Sequence, residues 1–425
     1  MKVFAVKVTV FTLAFVGSFG TAAQGTTYTP ISAGFDFPAK SDVLLAAVKA
    51  NDQAALRRHA WMVFAGLTQP ARKDSPTSEA IWETWYPGAE VFRVGPTPAG
   101  VRAIDRSFVT PRQFQRPPPG PSPEAIGASA LSQTLFNKEL KDHTQAKKLQ
   151  MSATLEKING GWTKDTPVGD RKIPDYPAEA MSLKLVWKLV KKDGLTAIPV
   201  WDEQPRVAVA PAQPEPLWAR VVAVDPLRTA IPAGEKSDVK NFTGKTFKAA
   251  NVVSLSNFYH FKLNAVQAAR ASGVLGGAGD PQEGDFVVMV AMHYTTKEIP
   301  NWVWATFWWH DSPEVGRFAS GRPDAALVKN PWRNYLMSVT YDMDAPKEAD
   351  GSPPAAFNPY LEARFGNGVN SNCMTCHQRA VWKKEEPQPA FLPVTRGAAK
   401  LKDPLFIDGT AVDFLWSILL EGNRE

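Results

Sequence analysis

The stretch DFVVMVAMHYTT, residues 285–296, is followed after KEIP by NWVWATFWWHD, residues 301–311. Both runs are rich in β-branched and aromatic side chains and are separated by turn residues and proline, the signature of strands joined through a hairpin loop. Strand alternation then sets Met289 and His293 on one face of the first run and Met292 on the other. In the second run Trp302, Trp304 and Trp308 share a face opposite Trp309. Packing in a sandwich core is the commoner use of such tryptophans, ahead of stacking on a bound group.

Outward from this pair the same character recurs in AMSLKLVWKLV (180–190), LTAIPVWDE (195–203), WARVVAVD (218–225), NFYHFKL (257–263) and NYLMSVTYDM (334–343). These runs predict an antiparallel β-sandwich or jelly-roll-like core over residues 178–345. The run ASGVLGGAGDP (271–281) follows a helical stretch instead of opening one after a strand, so it reads as a connector and not a nucleotide-binding loop.

Residues 24–177 read as mostly helical. SDVLLAAVKA (41–50) and NDQAALRRHAWMVFAGL (51–67) carry helical apolar spacing, with Ser41 and Asn51 as N-caps. RPPPGPSPEA (116–125) is a proline-rich connector, and SALSQTLFNKELKDHTQAKKLQ (129–150) belongs to a second helical region in which His143, among lysines, reads as a surface residue. The expected fold class is therefore α+β, with N-terminal helices, a sandwich core and a C-terminal segment over 346–425.

The first residues place Lys2 and Lys7 before an apolar run ending near Gly20 and the small residues Thr21, Ala22 and Ala23. This is the pattern of a secretory signal peptide over 1–23, since about 13 apolar residues fall short of the roughly 20 that a spanning helix needs. Cleavage removes two of the six surplus positive charges. The remaining basic doublets are scattered among acidic residues, which argues against nucleic-acid binding. The mature chain is expected to be periplasmic or secreted and to have no transmembrane segment.

Both cysteines of the chain lie in SNCMTCHQRA, residues 371–380. Cys373 and Cys376 enclose almost no loop, so a structural disulfide is a poor use of them. A thioredoxin-like site lacks its βαβ surroundings, and a zinc site needs about two further ligands from elsewhere. The pattern Cys373-x-x-Cys376-His377 is that of covalent haem attachment. If Asn372 or Ser371 caps a helix here, Cys373 and His377 share one face with Cys376 beside them. At these residues the chain resembles c-type cytochromes, and the stretches EIPNWVWATFWWHD (298–311) and NPYLEARFGNGVNSNCMTCHQRAVW (358–382) resemble large bacterial c-type cytochrome-like proteins. The resemblance implies one covalent haem c, Cys373 and Cys376 as attachment residues, and His377 as the proximal iron ligand.

No methionine follows Met374, so a sixth ligand has to come from upstream or the iron position is open. The candidates are His59, His260, His293 and His310, then Met289, Met292, Met337 and Met343. His293 comes first, because a histidine inside an apolar strand needs a polar or metal partner. Trp382 is expected near the haem if the helix continues past His377. Three function classes follow: an exported monohaem electron carrier with a redox partner protein, a haem enzyme or sensor with an open sixth position, and a sandwich binding module with an appended redox unit.

Overall fold

The computed structural model describes residues 27–72, 74, 79–95, 104–111, 130–203, 210–384 and 397–422. The expected signal peptide and the proline-rich connector lie outside these residues. In chain order the first elements are α1 (Ser41–Lys49), α2 (Gln53–Leu67), β1 (Tyr86–Pro87), α3 (Gly88–Val91), β2 (Leu131–Phe136), α4 (Lys138–Ala146), α5 (Ser152–Gly160) and β3 (Met181–Val190). The central part continues with β4 (Thr196–Val200), β5 (Arg220–Asp225), β6 (Lys236–Lys240), β7 (Thr246–Ser254), β8 (His260–Lys262), α6 (Ala265–Leu275), β9 (Phe286–Thr296), β10 (Val303–Trp309) and β11 (Tyr335–Thr340). The C-terminal part holds α7 (Cys373–His377), β12 (Val381–Trp382), α8 (Pro404–Ile407), β13 (Thr410–Ala411) and α9 (Trp416–Glu421).

Among the described residues the strands form a seven-stranded sheet in the order β1-β2-β3-β9-β10-β11, with β8 also on β9, and a four-stranded sheet in the order β4-β5-β7-β6. The fold is thus α+β with antiparallel sheets packed in a sandwich-like arrangement, and the pair β5–β7 is parallel. Ile198, Val200, Val222, Val224 and Val253 of the smaller sheet share one apolar cluster with Val288, Ala291 and Trp308 of the larger. The rings of Trp201 and Trp308 meet edge-on across the layers at 6.1 Å. On its other face the large sheet packs on α2, where the rings of Phe64 and Phe307 stack at 4.0 Å. Tyr294 secures this layer by donating its hydroxyl to the Ala60 carbonyl at 2.8 Å.

The hairpin read from residues 285–311 is present: β9 and β10 pair antiparallel from Thr296 opposite Val303 to Ala291 opposite Trp308. Three local expectations need correction. Leu131–Phe136, read as helical, is a strand paired with β3. The strong helix signal belongs only to the following segment, which Asn137 caps by accepting from Leu140 N. The N-caps are also displaced by one residue. Lys40 precedes α1 without a side-chain cap, and Asp52 caps α2 by accepting from Ala55 N, while Asn51 sits at φ 56° in the turn between them. Lastly, Trp302 lies in the hairpin loop at φ 64° and not in the strand, so only Trp304 and Trp308 share the face assigned to all three.

Candidate haem-attachment site

The register of the large sheet builds one wall of the site. On the face away from α2, Thr134, Lys184, His293, Thr306 and Ser338 form a row across β2, β3, β9, β10 and β11. The adjacent row is Phe136, Ser182, Thr295, Trp304 and Thr340. Six hydroxyl-bearing residues and two cationic or imidazole side chains on a sheet face need partners, because buried polar groups without hydrogen bonds are costly. The chain after β11 supplies several. Asn358 donates to Thr306 Oγ1 at 2.8 Å and to the Phe307 carbonyl at 3.1 Å. Asn372 donates through Nδ2 to Thr340 Oγ1 at 3.1 Å and to the Pro354 carbonyl at 3.0 Å.

These contacts lay the CxxCH segment on the sheet. Asn372 is the N-cap of α7, with Oδ1 accepting from Met374 N at 2.9 Å, as the sequence led us to expect. Cys373 and His377 stand one helical turn apart, and Met374 points into the core with no exposure. Both cysteines are free: Cys373 is half-buried and donates its thiol to the Ala356 carbonyl at 3.1 Å, whereas Cys376 reaches open space. Burial, with Glu362 nearby, pushes the Cys373 thiol well above its ordinary value. The Cys373 thiol therefore remains protonated at neutral pH. The helix ends at His377, so Trp382 does not continue it; Trp382 instead pairs with Thr410 in the short β12–β13 ribbon.

His377 is held on two sides. Its Nδ1 donates to the Phe414 carbonyl at 2.7 Å, and its ring lies 4.2 Å from that of Trp304, inclined by 43°. Desolvation lowers its pKa to about 4, with Lys184 adding to the effect, so the imidazole is neutral. A proton fixed on Nδ1 leaves Nε2 as the lone-pair nitrogen.

His293 faces the same side of the sheet. Its Nε2 is buried without a hydrogen-bond partner, and burial, Lys184 and His377 together lower its pKa to about 3. A neutral imidazole with an orphaned buried nitrogen, electrostatically coupled to His377, fits a metal-ligand role. The other candidates fare differently. His59 is engaged at both nitrogens, by the Tyr341 hydroxyl at 2.7 Å and by Glu298 and the Asp36 carbonyl. His310 accepts from Ser312 N within an Arg220, Asp202 and Asp311 cluster, and His260 donates to the Phe258 carbonyl. Met292 and Met337 lie opposite Phe307 on the α2 face. Met289, expected on the face of His293, is turned to the opposite one, because a bulge shifts the register between Val186 and Trp187 and sets Met289 beside Trp187. Met343 shares an apolar cluster with Trp304 and Met374. His143 is not a plain surface residue: it is half-buried, with its ring 4.5 Å from that of Tyr176.

Three contributors were not read from the sequence: Lys184, Trp304 as the ring partner of His377, and the Phe414 carbonyl. Each reaches the site through strand register or a distant turn, so no local spacing announces it. Asp413 inside the apolar run AVDFLW (411–416) was the available signal, since a charge there requires a buried partner.

The donor set of two thiols and an imidazole with a free Nε2 fits covalent haem c. Among the described residues no group of three or more His, Cys, Asp or Glu side chains is placed to hold a metal ion by itself. No helix among them is long and apolar enough to cross a membrane. No family model, curated protein or solved structure matches the chain. The resemblance to c-type cytochromes therefore rests on the residues themselves.

Proposed function

We propose that this protein is an exported monohaem c-type cytochrome that carries single electrons to or from a redox partner protein. The observation that carries this reading is the pairing of Cys373-x-x-Cys376-His377 on one capped helical turn with the Phe414 carbonyl on His377 Nδ1. When bound, the haem supplies an iron that alternates between ferrous and ferric states. Cys373 and Cys376 tether it through their sulfurs, and His377 offers Nε2. The Phe414 carbonyl fixes the tautomer and raises the basicity of that nitrogen. Trp304 limits rotation of the ring from one side. His293, with its unpartnered Nε2, supports a filled sixth position over an open one.

The test is attachment. Full-length chain produced alongside cytochrome c maturation machinery should be coloured, and the pigment should stay with the polypeptide in acid acetone. Replacing Cys373 and Cys376 by serine should abolish this. Colourless wild-type protein, or pigment that extracts freely, would overturn the reading.

A further inference from the structure

The β9–β10 hairpin brings His293 and Trp304 to the site on its two strands, and its loop reaches a third point nearby. Lys297, at the start of that loop, is buried. Its ammonium donates to Asp413 Oδ1 at 2.6 Å, to the Pro300 carbonyl at 2.8 Å and to Asp175 Oδ1 at 3.2 Å, which uses all three of its protons. Asp413 is also buried and accepts from Tyr176 N at 3.4 Å. It stands at φ 48° and the next residue, Phe414, at φ 66°. Two successive side-chain-bearing residues in the left-handed region do not persist unless surrounding contacts over-determine them, least of all a bulky one. Here the turn they make aims the Phe414 carbonyl at His377 Nδ1.

We infer that the Lys297–Asp413 pair is a positioning device for His377: it clamps the 413–414 turn and thereby sets the tautomer and orientation of the imidazole from the hairpin loop. This rests on the reading of His377 as the iron ligand. One hairpin then governs both imidazoles, His293 directly through strand register and His377 indirectly through its loop. A buried ion pair is weak evidence for stability, since a well-packed apolar replacement often serves as well. Its place beside a strained turn is accounted for by the geometry it imposes.

The experiment has an unloaded and a loaded arm. In full-length chain prepared without haem, nitrogen-15 NMR of the imidazoles should report His377 protonated on Nδ1, with a slowly exchanging proton. In Asp413→Asn, and in a double variant joining Lys297→Met to Asp413→Leu that leaves no charge unpaired, the ratio of Nδ1–H to Nε2–H forms should fall on the order of tenfold, the equivalent of one hydrogen bond. In haem-loaded protein the same variants should shift the reduction potential to more positive values, because the ligand nitrogen becomes less basic. Folded variants with unaltered tautomer and potential would overturn the inference. So would a wild-type His377 that is protonated on Nε2 or exchanges rapidly, a result needing no variant at all. A chain that takes up no haem sinks the functional reading, while the unloaded arm still decides the clamp.

Discussion

The contact between His377 Nδ1 and the Phe414 carbonyl decides which ring nitrogen carries the proton, and Asn372 decides where that ring stands along the chain. Asn372 caps α7 through Oδ1 and ties it to the sheet and to the Pro354 carbonyl through Nδ2. Asn372→Ala removes the cap and strands buried acceptors, which should cost about 2 kcal/mol of stability in chemical denaturation of the unloaded chain. It should also lower the fraction of chains that acquire haem. At His293 the expected outcome is optical: loaded wild-type protein is low-spin and slow to bind carbon monoxide, and His293→Ala is high-spin and binds it readily. An unchanged spectrum would remove His293 as the sixth ligand. At this scale the capped turn that carries Cys373, Cys376 and His377 was legible, because a cap is local. The carbonyl of Phe414 was not, since backbone groups carry no sequence signature.

Among the elements, β9 and β10 were readable because both are aromatic and β-branched along their whole length. β2 was hidden by the helix signal of the residues after it. β6 and β7 were missed because their exposed Lys, Asp and Asn positions dilute the apolar alternation. The junction of β3 and β9 has its own electrostatic lock. Burial alone would raise the Asp285 carboxyl, but Lys191 Nζ at 2.5 Å and the amides of Lys192 and Gln282 outweigh it and hold the group below the usual carboxylate range. A depressed folded pKa means that the unfolded chain binds more protons, so the stabilisation is fully present above the ordinary value near 3.9 and is lost as pH falls through the lower folded value. Asp285→Asn should therefore cost about 2 kcal/mol at pH 7. In a denaturation series the difference between variant and wild type should shrink steadily below about pH 4. A pH-independent difference would count against this assignment.

For the whole molecule, the division into a helical start, a sandwich and a C-terminal segment was legible only as an order along the chain. In space the large sheet takes β1 and β2 from before residue 178, and the last segment is fastened back to both earlier parts. Trp162 Nε1 donates to Thr410 Oγ1 at 2.8 Å, Ile173 N to the Ala411 carbonyl at 3.0 Å, and Lys297 to Asp413. Contacts of such long sequence separation leave no periodic trace. They imply that the C-terminal segment and the sheet unfold together, so tryptophan fluorescence and far-ultraviolet circular dichroism should report coincident transitions in the unloaded chain. An early, separate loss of Trp304 packing would contradict this. Trp304→Ala, which empties a nearly fully buried site next to His377, should cost about 3–5 kcal/mol.

From Ala291 onward the side chains of β9 alternate, so which atom faces the CxxCH segment depends on the reading frame of a single strand. One extra codon just before Met292, with the loop after Thr296 absorbing the added length, would move Met292 into the slot of His293 and turn the histidine toward α2. A thioether would then stand where an imidazole stood, with Cys373, Cys376 and His377 untouched. On the haem reading, one small insertion would thus offer sulfur in place of nitrogen at this position of the sheet.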